Sequence, residues 1–270
     1  MARSMWSGSI SFGLVNVPVK LYTAVRNKEV HFHMLTADGK CRVRRKLVCP
    51  DTGEEVEYAD TTRGYEVAPD EYVVFTDDEL DSLRPEANRT INITDFVDLA
   101  DIDPVYFQKP YYLAPDTRAG KAYHLLLKAM RDSGKVAIAT FVMRQKQYLA
   151  AIRPTKSLLT LETMNYADEI VEPSEVQGIE DLPTVDAREL KMARQLIDAL
   201  AGEFKPEKYR DEYREELLKI IEKKAQGEEV HIAPPAEEPA RVINLMKALE
   251  ASLEEAKKSR KATTRRKRSA

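Results

Sequence analysis

Trp6-Ser-Gly-Ser-Ile-Ser-Phe-Gly-Leu-Val-Asn-Val-Pro-Val-Lys-Leu-Tyr22 is the stretch that decides the fold. Its apolar side chains fall first on even positions, Ile10, Phe12 and Leu14, and then on odd ones, Val15, Val17, Val19 and Leu21. A period of two is that of a strand with one buried face, because successive side chains of an extended chain point to opposite sides. The slip at Leu14-Val15, beside Gly13, predicts a bulge or sharp bend that exchanges the buried face. Pro18 lacks the N–H that a ladder needs, and it predicts a sheet edge or a strand end.

Outward from this stretch, short strand-like runs recur at 30–35, 43–48, 55–58, 65–67, 72–75 and 90–97, separated by Asp38-Gly39, Asp51-Thr52-Gly53 and Pro69-Asp70. That spacing predicts a barrel or a sandwich. Thr76-Asp-Asp-Glu79 is a capping box that opens one short helix ending before Pro85. A Tyr-rich strand follows at 106–113. The helix after it, 119–131, carries Ala122, Leu125, Leu126, Ala129 and Met130 on its apolar side and Gly134 as its stop. Strands return at 136–143, 148–152 and 158–161.

Beyond Pro183 the periodicity becomes helical. Asp186-Ala-Arg-Glu189 reads as a capping box, and Leu190, Ala193, Ile197, Leu200 and Phe204 form an apolar stripe ended by Gly202. Pro206 is positioned to start a second helix with Tyr209, Tyr213, Leu217 and Ile220, which runs to Gly227. A linker then leads to Pro239 and a last amphipathic helix with Val242, Leu245, Met246, Leu249 and Leu253. The expected fold class is α+β. A β-barrel core spans 1–182, a helical arm 183–227, the linker and C-terminal helix 228–256, and a basic tail without apolar periodicity, expected to be disordered, 257–270.

The 270 residues are 43% hydrophobic and 32% charged. No apolar run approaches the ~18 residues that a membrane span needs. Ser4, Ser7, Ser9, Ser11 and Asn16 interrupt the N-terminal stretch too often for an export signal. A soluble cytoplasmic protein is expected. Cys41 and Cys49 are too few for a disulfide framework or a complete zinc site.

The net charge of −3 hides strong segregation. Residues 1–50 carry nine Lys/Arg against two acids, 51–110 four against seventeen, 111–150 seven against two, and 257–270 eight basic residues with no acid. Positive surfaces beside an acidic exterior suit a protein that meets a polyanion.

Catalytic constellations are missing: there is no P-loop, no G-x-G-x-x-G and no G-x-S-x-G. On a strand His31 and His33 share one face, within reach of a metal held with Cys41 or Cys49, but exposed strand histidines are the commoner case. Asp101 and Asp103 precede Pro104, where turn chemistry alone favours Asp. No catalytic residue, metal or cofactor is expected.

The basic clusters carry more. In a strand, Arg42, Arg44 and Lys46 project from one face about 7 Å apart, the scale of successive phosphates. Arg144, Lys146, Arg153 and Lys156 form a second patch. The row Lys40–Lys46 has no aromatic ladder and no base-reading Asn or Gln, so contact with a duplex backbone fits it best.

The stretch Trp6–Tyr22 resembles the N-terminal signature of bacterial Ku proteins. The resemblance continues through Tyr111-Tyr-Leu-Ala-Pro115, Val136-Ala-Ile-Ala139, Leu149-Ala-Ala-Ile-Arg153, 162–169, Glu189-Leu-Lys-Met-Ala193 and Tyr209-Arg-Asp-Glu-Tyr213. It implies a homodimer whose β-barrels and bridging loops close a ring around double-stranded DNA, threaded from a free end. It also implies non-homologous end joining, with end protection and recruitment of a multidomain ATP-dependent DNA ligase, in the cytoplasm at the nucleoid.

The bridge implied by the resemblance puts Arg26, Lys28, Lys40, Arg42, Arg44, Arg45 and Lys46 on or near phosphates, with Arg63, Arg144, Lys146 and Arg153 as additions. In the tail, Lys257, Lys258, Arg260, Lys261, Arg265, Arg266, Lys267 and Arg268 add nonspecific affinity. The arm residues Leu190, Ile197, Tyr209, Tyr213 and Leu217 are expected to pack the dimer and present the ligase contact. Several members carry a cysteine where Thr52 stands here, which weakens a zinc reading further. The alternatives are a nucleoid-type architectural nucleic-acid binder without end preference, and a metal-dependent nuclease working from Asp101, Asp103 or the His31/His33 pair.

Overall fold

In the computed structural model, which describes residues 3–83, 89–117, 119–179, 182–228, 246–255 and 258, the opening stretch is a hairpin of β1 (Trp6–Phe12) and β2 (Val15–Thr23). The parity slip is a chain reversal and not a bulge within one strand: Phe12 pairs with Val15 and Ile10 with Val17. Gly13 takes the left-handed conformation that this tight turn needs, at φ 58°. Ile10, Val17, Val19 and Leu21 all end in the core.

β3 (Arg63–Ala68) and β4 (Glu71–Phe75) form a separate two-stranded ribbon, followed by α1 (Asp77–Ser82). The Thr76 hydroxyl accepts from the Glu79 N–H, and the Glu79 carboxylate accepts from the Thr76 N–H, completing the capping box that opens α1. β5 (Thr90–Asp98), β6 (Phe107–Pro115), β7 (Lys135–Met143), β8 (Lys146–Pro154) and β9 (Leu159–Met164) join the first hairpin in a closed seven-stranded barrel of order β1-β2-β6-β9-β8-β7-β5. Only the β1–β5 junction is parallel, with Ser9, Ile10 and Ser11 opposite Thr90, Ile91 and Asn92.

Pro18 lies within β2 and not at an edge, and the register explains why it is tolerated. Its carbonyl accepts from the Asp116 N–H at 3.0 Å, so its nitrogen faces the β6 side just past Pro115, the last residue of β6 paired with β2. The missing donor costs no ladder bond.

One end of the barrel is covered by α2 (Gly120–Ser133), which Gly134 terminates at φ 69°. The buried Tyr123 hydroxyl donates to the Leu113 carbonyl at 2.6 Å and accepts from the Leu159 N–H at 2.8 Å, tying the helix to β6 and β9. The Arg131 guanidinium donates to the carbonyls of Thr155 and Lys156, both at 2.8 Å, and clamps the β8–β9 turn. These bonds set the rotation of the helix about its axis. Its buried face is therefore Tyr123, Leu126, Leu127 and Met130, while Leu125, expected inside, is 71% exposed. With Ala122, Ala129, Phe12, Val15 and Phe96, Leu125 lines an open apolar groove of about 650 Å³.

Tyr123→Phe leaves the Leu159 N–H and the Leu113 carbonyl without the hydroxyl between them. It is expected to lower stability by about 1–3 kcal/mol in urea titrations, with the m-value unchanged.

The other end, here called the mouth, is floored by aromatic rings. Trp6 donates its indole N–H to the Val142 carbonyl at 3.1 Å and meets Phe141 edge-on, with ring centres 6.0 Å apart. Phe141 packs on Tyr148 at 5.6 Å. Residues 24–89 leave and return at this end: the Ala24 N–H donates to the Pro110 carbonyl and the Ser9 N–H to the Arg89 carbonyl.

The chain divides into two compact units, Met1–Pro173 and Ser174–Ala270. In the second, α3 (Ala187–Leu200) is capped by the Asp186 carboxylate accepting from the Arg188 N–H, a single cap and not the expected box. Pro206–Lys208 is only a 3-10 turn. α4 (Glu212–Ala225) starts later than expected because Asp211, whose carboxylate accepts from the Arg214 N–H, supplies a cap that proline cannot. Tyr209 consequently lies outside the helix, stacked on Phe204 at 5.7 Å. Residues 246–255 are helical and Leu253 is buried, while Pro239, Val242 and Leu245 lie outside the described residues.

Candidate nucleic-acid interface

Among the described residues of the excursion 24–89 no large apolar side chain is fully buried. Phe32 is 71% and Tyr58 82% exposed, and Met34, Leu47, Tyr65 and Tyr72 are open as well. With no core to fold against, the strand-like runs at 30–35, 43–48 and 55–58 do not become strands. They are extended segments held by isolated bridges, Leu35 with Arg42 and Val48 with Glu55. Arg42, Arg44 and Lys46 therefore do not form the regular strand face that alternation predicts.

The excursion presents Arg26, Lys28, Lys40, Arg42, Arg44, Arg45, Lys46 and Arg63, all exposed. Lys46 meets Glu55 at 2.5 Å, Lys40 meets Asp38 at 4.0 Å and Arg63 meets Asp77 at 3.6 Å. Exposed pairs of this kind are worth at most about 1 kcal/mol and exchange readily for another anion. Arg42, Arg44 and Arg45 join no ion pair among the described residues.

The second basic patch is split by the strand that carries it. β8 begins at the mouth and runs to the opposite end, so Lys146 and Arg153 are separated by about 23 Å of extended chain. Arg144 and Lys146 stand at the mouth in the β7–β8 turn. Arg153 donates from Nε and an Nη to Glu162 Oε1 at 3.0 and 2.6 Å, and Glu162 is largely buried. Lys156 is exposed at the far turn. Lys109 belongs with the mouth and escaped the sequence reading. It is a single cation in Gln108-Lys-Pro110, two residues along β6 from Tyr111, whose ring its ammonium overlies at 5.9 Å.

His31, His33 and Cys41 are exposed. Thr52 donates its N–H and hydroxyl to the Cys49 sulfur and, with the Asp51 N–H, holds that thiol below its ordinary pKa. Among the described residues no cluster of three or more His, Cys, Asp or Glu side chains is arranged to hold a metal ion. The Asp103 carboxylate accepts from the Val105 N–H at 2.9 Å and caps the following 3-10 turn, which explains the aspartate there without chemistry.

In the helical unit Leu190, Ile197, Tyr209 and Tyr213 are exposed and Leu217 is half-buried, which leaves an apolar surface open. Of the tail, Lys258 is exposed; Lys257, Arg260, Lys261, Arg265, Arg266, Lys267 and Arg268 lie outside the described residues. No helix among the described residues is long and apolar enough to cross a membrane.

Comparison with known proteins follows the same outline. Residues 11–192 match the family described as the Ku70/Ku80 beta-barrel domain. A protein of Anaeromyxobacter sp. (strain K) named non-homologous end joining protein Ku is 49% identical over 262 residues, covering 96% of this chain and 87% of that protein. Proteins of the same name from Archaeoglobus fulgidus and Bacillus subtilis (strain 168) are 40% identical over 256 residues and 37% over 263; they cover 94% and 97% of this chain, and 100% and 85% of their own lengths.

Proposed function

The chain belongs to the Ku family, and from that premise we propose that it binds ends of double-stranded DNA without regard to sequence, as a ring-shaped homodimer acting in non-homologous end joining. The observation that carries this reading is the excursion 24–89. Both its ends are anchored at one mouth of the barrel, its described large apolar side chains are exposed or at most half-buried, and it bears the basic run Lys40–Lys46. A second copy supplies cover for Phe32, Tyr58 and the β3–β4 ribbon, and two such excursions close over a duplex whose phosphates the basic run neutralises. The role is binding, not catalysis. The open apolar surface of α3 and α4, around Leu190, Ile197 and Tyr213, serves dimer packing and the contact with a multidomain ATP-dependent DNA ligase. The protein works in the cytoplasm, at the nucleoid.

The test is binding to one plasmid in linear and in covalently closed form at about 150 mM salt, where weak phosphate contacts are screened. A strong preference for the linear form is expected. Equal binding would instead fit an architectural nucleic-acid binder. If all eight tail charges neutralise phosphates, deleting 257–270 makes the slope of log K against log salt shallower by about 7, at ~0.9 per contact, and leaves the preference for ends intact. Loss of end preference in that variant counts against the ring.

A further inference from the structure

We propose that the outer face of α2, with the β1–β2 turn beside it, is a self-association surface on which the same face of a second copy packs, the two α2 helices running antiparallel. This face lies at the end of the barrel away from the excursion. It is therefore a contact separate from the one proposed for the excursions, and it does not rest on the DNA-binding reading.

The face is apolar and open. Leu14, between the paired Phe12 and Val15 at the tip of the turn, is fully exposed, and Leu125 is exposed on the helix. The groove beside them has two polar side chains in its lining, Ser133 and Lys135, and both are engaged. The Ser133 hydroxyl donates to the Met130 carbonyl at 3.2 Å, and Lys135 pairs with Asp98 at 2.8 Å. A polar small molecule meets no free group there to orient it, whereas the apolar side chains of another surface find a matching floor.

Two charges name the occupant. Lys121 and Asp132 are eleven residues apart, about three helical turns, so they stand on one side of α2 roughly 16 Å apart with Leu125 between them. Both are exposed, and neither joins an ion pair among the described residues. Each also opposes the helix dipole: the lysine lies in the first turn, at the positive end, and the aspartate in the last, at the negative end. Charges placed against helix stability point to a use outside the helix.

An antiparallel copy supplies that use. With a two-fold axis crossing between Leu126 and Leu127, Lys121 of each copy meets Asp132 of the other, twice over. Each Leu125 then falls beside Ala129 of the other copy, where the short side chain leaves room. Lys128 faces its own counterpart near the axis, a repulsion that its long stem relieves by turning to solvent. A face of three helical turns and one turn tip is small beside the roughly 800 Å² per partner of a stable interface, so association is weak, with Kd on the order of 10–100 μM, until copies are held close together.

Sedimentation velocity of the full chain at rising concentration, up to several times that Kd, tests this. The wild type is expected to pass from its basal species to one of twice the mass. Leu125→Glu, at an exposed position, abolishes the larger species without lowering the melting temperature. Lys121→Glu and Asp132→Lys each weaken association at least 10-fold while raising the melting temperature by about 1–4 °C, because each relieves the dipole. An equimolar mixture of these two variants associates again, since both cross-copy pairs are then opposite in charge, and so does the chain carrying both changes. If the wild type keeps one mass throughout, if Leu125→Glu doubles as the wild type does, or if the two variants associate no better mixed than apart, the proposal is overturned. None of these outcomes bears on the DNA-end reading, which the plasmid comparison decides by itself.

Discussion

With Lys40, Arg42, Arg44, Arg45 and Lys46 all replaced by glutamine, affinity for linear duplex at 0.15 M salt is expected to fall by about three to four orders of magnitude, with the salt slope shallower by about 4.5. The size follows from five cations each releasing about 0.9 counter-ion on contact with phosphate. The contacts that Lys46 and Lys40 make with Glu55 and Asp38 do not compete strongly, being exposed pairs that a phosphate replaces at little net cost. The melting transition should be unchanged, because none of the five side chains contributes to the barrel core. Salt-titrated fluorescence anisotropy on a short linear duplex measures both quantities. A fall of less than 10-fold would remove the basic run from the binding surface.

Gly8→Ala is expected to cost about 3–5 kcal/mol, enough to threaten folding at ordinary temperatures. A methyl group at Gly8 overlaps the Arg89 carbonyl oxygen and the Trp6 ring, and neither can retreat freely. That carbonyl accepts the Ser9 N–H at 3.0 Å beside the β1–β5 junction, and the indole is pinned between Val142 and Phe141. Gly13→Ala is the contrast. Nothing lies near its Cβ position, and only the left-handed φ of 58° resists substitution, for about 1 kcal/mol. Chemical denaturation of both variants separates steric from conformational demand. Equal, small losses would mean that the junction yields to accommodate the methyl group.

Much of the barrel was legible in residue patterns, because a buried face imposes alternation. Ile10 through Leu21 announced two strands, and only the nature of the reversal between them had to come from the structure. Alternation failed at 30–58, where Val43 and Val48 look like strand residues but have no core to fill. The face of α2 was misread because Leu125 is as apolar as Leu126, and hydrogen bonding by Tyr123 decides between them. At the candidate interface, charge runs marked Lys40–Lys46. Linear sequence joined Arg144 to Arg153, which a single extended strand carries to opposite ends, and it passed over Lys109, a lone cation whose place at the mouth only the barrel topology shows. The family signature Trp6–Tyr22 reached further than any of these patterns toward function, as the matches over residues 11–192 bear out.

Closure of the cylinder depends on its shortest line of pairing. Three residue pairs join β1 to β5, against seven joining β7 to β8, and the chain between β2 and β5 is the long excursion itself. Opening costs less the fewer bonds it breaks, so of the barrel's strand junctions this seam parts first and its amide protons exchange sooner than those of the others. Arg89, the return point of the excursion, is bonded to Ser9 on that seam. A fluctuation that parts a few backbone bonds in the wall of the barrel therefore loosens the root of the excursion as well, and the lifetime of the seam becomes a clock for its movement.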